Sequence, residues 1–409
     1  MNKIAVVFPG QGSQFIGMGK TLCQQFTTAE RVFEEAEEIL GIPLRQICFE
    51  GRVSELNRIT TLFPAIITYG VASYKVFQEM TGIKADYMAG HSLGEYAALV
   101  CSGTLDFADA IRLVEKRASL CLEHSLTEQG SMTVIDGLDA STINKYCERL
   151  LQESKSIYIS CYNKEKQIVV SGQSQGIMEL EDMAMEECAQ VTPMIMMPPF
   201  HCPLMEPITK EMREYLQSIP FRKGNVTVIG NVNGMPYPKE REKITGNLTH
   251  HLVKPVMWYQ SLKYMQIKGV RTVVEMGAHN YLTAMVKEIN PGCKAYAYGM
   301  NQDWDLKKLA STNNNLRLSL PKKCIKIVVS SKNYSKNTSG YDEKVMRAYK
   351  ELEAISNGRD IEGETDDRAM KLLLEILDLK EVPEHIRKQY LKELEVSLEE
   401  IKRVDDHDR

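Results

Sequence analysis

No two of the ten cysteines make a C-x-x-C pair; the closest neighbours are Cys147 with Cys161 and Cys188 with Cys202. That excludes zinc-ribbon spacing and argues against a disulfide framework in a cytosolic chain of this length. A basic excess is missing too. Lys and Arg number 50 against 54 Asp and Glu, for a net charge of −4. There is no global cationic surface to neutralise phosphates, so nucleic acid is not expected as a partner. No apolar run approaches the roughly 20 residues that cross a bilayer, so no membrane partner is expected. The N-terminal run, Ile4–Phe8, is too short for a signal-peptide core and reads as a buried strand. The expected location is cytoplasmic. No residue pattern calls for a metal or a tightly bound cofactor.

What is present is ordinary globular material: 409 residues, 43% hydrophobic and 25% charged. A chain of that length is expected to form about two to three domains. The opening part alternates short strand-like runs with helical spacing. Ile4–Phe8 and Asp86–Ala89 are the strands, and Ala29–Leu40, Pro64–Met80, Leu93–Cys101 and Phe107–Leu122 the helices. Such alternation predicts a parallel sheet covered on both faces. From Gly130 the order changes to β-α-β-β-α: Ser131–Ile135, Ser141–Gln152, Ile157–Cys161, Gln167–Ser171 and Ser174–Cys188. A closing strand near Val191–Met197 makes this a small ferredoxin-like unit. Thr227–Gly230, Leu262–Lys268 and the buried-strand candidate Thr272–Glu275 return to the larger layout, so the small unit is inserted in a large one. Beyond about Ala310 the composition shifts to Asn, Ser, Lys and Thr. Ser311–Asn315 and Ser330–Ser339 read as loops, with Cys324–Val329 as a strand between them. The tail after Tyr341 is charged and helical. Val345, Tyr349, Leu352 and Ile355 share one face, Met370, Leu373, Leu374 and Leu377 another, and Glu384–Lys402 reads as a third helix. The expected divisions are 1–127, 128–197, 198–310 and 311–409.

The sharpest local signal is Gly90-His91-Ser92-Leu93-Gly94, between a predicted strand and a predicted helix. A G-x-S-x-G turn in that setting is a nucleophile elbow: the glycines permit a tight bend, and the serine stands at a helix N-terminus. Ser92 then requires a base. Of eight histidines, His91 should point away from its neighbour in the turn, and His385 and His407 lie in the charged tail. His201, after the stiff Pro198-Pro199-Phe200, is placed to enter a cleft. The loop Phe8–Gln14 fails as a phosphate loop, because Phe15 stands where a third glycine is needed. Its Gln11, flanked by glycines, offers instead a backbone N–H that can join the N–H of Leu93 as an oxyanion donor. Arg117, taken alone, reads as a solvated surface residue.

Together Phe8–Gln14, Gly90–Tyr96, Arg117 and Phe200–His201 resemble the malonyl-CoA:acyl carrier protein transacylases, including the acyltransferase domains of polyketide synthases. The resemblance covers roughly the first three quarters of the chain. It implies an α/β fold, with an α/β-hydrolase-like large subdomain, an inserted ferredoxin-like small subdomain and, here, an added α-rich C-terminal extension. By resemblance Ser92 is the nucleophile that becomes malonylated and His201 its base. Arg117 holds the malonyl carboxylate, Gln11 and Leu93 supply the oxyanion N–H groups, and Phe200 favours malonyl over methylmalonyl. Two positions depart from the family pattern. His251-Leu252 stands where Gln-Leu is frequent, so the carbonyl that orients the base would belong to His251. Gly277-Ala278-His279-Asn280 replaces a Gly-Pro-Gly motif. The tail resembles the extension of stand-alone acyltransferases that serve modular polyketide synthases in trans. The implied substrates are malonyl-CoA, a coenzyme A thioester, and acyl carrier protein domains of a polyketide synthase. Competing readings are a housekeeping fatty-acid malonyltransferase, a thioester hydrolase, and an interaction protein with a relic site.

Overall fold

The computed structural model describes residues 3–125, 130–194, 197–299, 320–335, 341–356, 365–388, 390–392 and 394. The chain divides into two compact units, one of Met1–Glu79 with Ile83–Lys308, the other containing Leu309–Arg409. Among the described residues the strands, in chain order, are β1 (Lys3–Phe8), β2 (Tyr87–Gly90), β3 (Gly130–Asp136), β4 (Ile157–Lys164), β5 (Gln167–Gln173), β6 (Gln190–Met194), β7 (Thr227–Ile229), β8 (Val270–Glu275) and β9 (Lys294–Ala297).

The first unit contains two sheets. The larger is parallel throughout, in the order β7-β2-β1-β8-β9. β1 lies at its centre and is buried from Ile4 to Phe8. A strand covered on both faces needs a continuous apolar run, which is why Ile-Ala-Val-Val-Phe does not alternate. Register places Phe8 beside Gly90 and Ala89 beside Ile229. The turns that follow β1, β2 and β7 therefore emerge together at the carboxyl edge of the sheet, where open α/β sheets bind ligands. The second sheet is antiparallel, in the order β4-β5-β3-β6. With the helices Ala140–Gln152 and Ser174–Glu186 it forms the βαββαβ arrangement of a ferredoxin-like unit. Ile143, Leu150, Ile159, Val170, Ile177 and Leu180 fill its core. The chain enters this unit at Gly130 and leaves towards Pro199, and the two touch. A Cβ on Gly130 would sit 2.4 Å from Pro199 Cγ. Leu262–Lys268 falls largely within the helix Trp258–Ile267 rather than a strand.

The second unit is helical: Leu320–Ser330, Tyr341–Ser356, Thr365–Leu379 and a further helical stretch over 384–388. This corrects the strand expected at Cys324–Val329. The β-branched run Ile-Lys-Ile-Val-Val favours a strand locally. In the fold Leu320, Cys324, Ile327 and Val328 instead share one helix face and are buried together. Leu374 is also corrected, since it is 38% exposed. The buried face of its helix is Ala369, Leu372, Leu373, Ile376 and Leu377, packed with Leu352 and Ile355. Lys380 Nζ donates to the carbonyls of Val328 and Ser331 and closes the C-terminus of the first helix. The loop Ser311–Asn315 and most of the segment beyond Lys388 lie outside the described residues.

Candidate active site

β2 ends at Gly90 and the helix Gly94–Cys101 begins four residues later. The chain can bend this tightly only without side chains at both glycines. A Cβ on Gly90 would come within 2.0 Å of Gly94, and one on Gly94 within 2.1 Å of the Phe8 carbonyl. At the apex Ser92 has φ +49°, a left-handed backbone unusual for a residue with a side chain. This holds Oγ up at the N-terminal end of the helix.

Ser92 Oγ lies 2.7 Å from His201 Nε2, and His201 Nδ1 lies 2.7 Å from the carbonyl oxygen of His251. A carbonyl only accepts, so Nδ1 carries the proton and Nε2 presents a lone pair to the serine hydroxyl. His201 also has a left-handed backbone, φ +61°, and its N–H donates to the Leu252 carbonyl at 3.1 Å. Burial and the nearby Arg117 charge push its pKa down to about 3, so the ring is a neutral acceptor across the physiological range.

Arg117, read alone as a surface residue, is instead 1% exposed. The helix Phe107–Ser125 carries it inward, where Cζ lies 5.5 to 5.7 Å from the ring centroids of Phe63, Tyr96 and Phe200. Its Nε and Nη1 have no hydrogen-bond partner. A buried guanidinium is costly unless its donors are satisfied. Phe200 is itself buried and packs 6.0 Å from Phe63, forming part of the wall beside the guanidinium.

The loop after β1 presses against the elbow. A Cβ on Gly10 would lie 2.4 Å from the His91 carbonyl and 3.3 Å from the Leu93 nitrogen. The next residue, Gln11, sends Nε2 to the Met197 sulfur at 2.6 Å. His91 turns away from Ser92, with Nε2 2.7 Å from Asn163 Oδ1 on β4. His279 sits between the rings of Phe15 and Tyr281, at 5.5 and 5.1 Å. Among the described residues no three His, Cys, Asp or Glu side chains converge as they would around a metal ion. No described helix is long and apolar enough to cross a membrane.

Two residues of this neighbourhood escaped the sequence reading. Asn231, just beyond β7, accepts from the Ser92 N–H at 2.9 Å and donates to the Gly90 carbonyl at 2.7 Å. Glu95, fully buried in the nucleophile helix, accepts from the Asn231 N–H at 2.7 Å. An acid inside Gly-Glu-Tyr-Ala-Ala-Leu-Val was the available signal for Glu95. Asn231 had none, because its role comes only from the pairing of β7 with β2.

The acyl transferase domain family model matches residues 5–299. A malonyl CoA-acyl carrier protein transacylase of Bacillus subtilis is 32% identical over 359 residues, which cover 87% of this chain and 90% of that one. A second, from Bacillus subtilis strain 168, is 37% identical over 298 residues, 73% of this chain and 93% of that one. Among solved structures, a malonyl-transacylase in complex with a type II polyketide synthase acyl-carrier protein is 34% identical. It has a TM-score of 0.72, and the match covers 76% of this chain and all of that one. With its elbow, its Ser92–His201 pair and its inserted ferredoxin-like unit, the chain belongs to the acyl transferase domain family, among the malonyl CoA-acyl carrier protein transacylases.

Proposed function

We propose that the protein transfers malonyl from malonyl-CoA to the phosphopantetheine thiol of an acyl carrier protein through a malonyl ester on Ser92. One observation carries the substrate choice: Arg117 is buried among aromatic rings with Nε and Nη1 unpaired, beside the Ser92–His201 pair. A planar guanidinium of that kind fits a carboxylate bidentately, and an uncharged acyl chain would leave it unsatisfied. The Phe200 ring beside Arg117 would crowd a methyl group on the carbon between the two carbonyls, so that methyl is expected to cost about 1–3 kcal/mol.

In the first half-reaction His201 Nε2 takes the proton of Ser92 Oγ as Oγ bonds to the thioester carbonyl carbon. The oxyanion faces the N–H groups of Leu93 and Gln11, at the N-terminus of the nucleophile helix. The C–S bond breaks, and His201 returns the proton to the coenzyme A thiolate. In the second half the carrier thiol gives its proton to His201 and attacks the ester, and Ser92 leaves as its hydroxyl. The His251 carbonyl serves as the third member of the relay by fixing the His201 tautomer.

The stand-alone role, loading carrier domains of a modular polyketide synthase in the cytoplasm, has narrower support. The 359-residue match to one Bacillus relative runs past the 295 residues of the family domain and into the tail. The housekeeping fatty-acid role is the competing reading, since the strain 168 relative matches over 298 residues.

The test is intact mass after mixing with malonyl-CoA, methylmalonyl-CoA or acetyl-CoA. A malonyl adduct absent from Ser92→Ala, with weak acetyl labelling, is the expected result. Ser92-dependent hydrolysis without an adduct would make the protein a hydrolase. Offering polyketide and fatty-acid carriers to the malonylated protein separates the two roles by which one discharges it faster.

A further inference from the structure

Both halves of the Ser92–His201 pair stand on left-handed backbone, φ +49° and +61°. Such conformations persist only where the surroundings over-determine them. On the serine side the clamp is Asn231, 2% exposed and satisfied at four groups. Its Oδ1 accepts from the Ser92 N–H, its Nδ2 donates to the Gly90 carbonyl, its carbonyl accepts from the Met257 N–H, and its N–H donates to Glu95 Oε1. On the histidine side the clamp is the segment His251-Leu252. Its two carbonyls receive His201 Nδ1 and the His201 N–H. The His251 ring is fully buried and lies 4.8 Å from the His201 ring, inclined by 34°.

The two clamps converge on one carboxyl group. Glu95 Oε1 holds Asn231, and Glu95 Oε2 lies 3.1 Å from His251 Nδ1. Oε2 and Nδ1 each lack a hydrogen-bond partner, so carboxyl and ring are in contact without a hydrogen bond between them. Burial raises the Glu95 carboxyl to about 7, against the pull of Asn231 and the Arg117 charge, and burial holds the His251 ring well below the ordinary histidine range, so the carboxyl packs on a neutral ring.

We propose that Glu95 is a positioning residue for acyl transfer, tying the Ser92 elbow, through Asn231, to the His201 ring, through His251. It does not touch the reacting atoms. The proposal rests on the reading of Ser92 as nucleophile and His201 as base, but not on malonyl being the acyl group.

The experiment measures the rate of Ser92 modification in the full chain by two reagents, malonyl-CoA and an alkyl fluorophosphonate. Wild-type protein modified by the fluorophosphonate but not by malonyl-CoA overturns the malonyl reading and leaves the Glu95 comparison readable. With Glu95→Ala we expect the maximal rate with either reagent to fall about 10- to 100-fold, as misplaced reacting groups do, with half-saturation by malonyl-CoA unchanged. Glu95→Gln keeps an acceptor for the Asn231 N–H and is expected to recover most of that loss. His251→Leu keeps the backbone carbonyl but removes the ring and supplies a second reading should Glu95→Ala not fold. It should slow modification, and the double variant Glu95→Gln/His251→Leu should be no slower than His251→Leu alone. Rates within about twofold of wild type in a folded Glu95→Ala or His251→Leu protein would overturn the proposal. So would losses that multiply in the double variant, or a Glu95→Ala loss confined to half-saturation.

Discussion

Arg117 shows how far one residue reaches. Its charge helps hold His201 low, so the free protein should keep its base neutral well below the ordinary histidine range. The sign follows from the charges: a bound malonyl carboxylate neutralises the guanidinium, and the histidine pKa then rises. The acid limb of kcat should therefore lie at higher pH than that of kcat/KM, and pH profiles of both constants measure the gap. Arg117→Met removes the charge permanently. It should move the kcat/KM limb upward and cost malonyl transfer about 1.5–3 kcal/mol, the worth of a hydrogen bond to a charged group, while acetyl transfer is spared. Ser92 and His201 stood out because each is bound to its chain context, an elbow and a proline-stiffened approach, whereas the His251 carbonyl entered only through the family resemblance. Arg117 was not legible from its own helix, where Glu115-Lys116-Arg117 looks like a solvated charge run. Its burial is decided by Phe63 and Phe200, which are far away in sequence.

At the scale of elements, the loop after β1 and the start of the nucleophile helix are in backbone contact, with glycine on both sides. Gly94→Ala drives a methyl group into the Phe8 and Pro9 carbonyls, at 2.1 and 2.7 Å. Overpacking of that kind costs about 1–3 kcal/mol, and denaturant unfolding of the first unit should register it. The same substitution separates the Gln11 loop from the elbow, so Ser92 acylation should slow more than the stability loss explains. The central strand β1 and the ferredoxin-like order were readable because burial imposes composition: an unbroken apolar run in β1, mixed runs in the small sheet. β9 was missed, because Lys-Ala-Tyr-Ala carries no such run. Cys324–Val329 was misread for the opposite reason. Six residues rich in Ile and Val satisfy strand propensity, and only the partner helices reveal the helical period through Leu320, Cys324, Ile327 and Val328.

The whole molecule separates chemistry from appendage. Ser92, His201, Arg117, Glu95 and Asn231 all belong to the first unit. Leu373, fully buried at the core of the helical unit, belongs to the second. Leu373→Ala should therefore destabilise the helical unit by about 2–5 kcal/mol, seen as faster amide exchange along Tyr341–Ser356 and Thr365–Leu379. Formation of the Ser92 adduct should proceed at the wild-type rate. Within the first unit, the contact between Gly130 and Pro199 has an evolutionary consequence. The strand that opens the small subdomain starts within one van der Waals contact of the segment by which the chain comes back, two residues before His201. A graft whose two ends touch puts no stretch on its host. The ferredoxin-like unit can thus change length or shape away from β4, whose Asn163 holds His91, without re-threading the serine and the histidine on either side of it. The fold keeps one chemistry and leaves its cover open to revision.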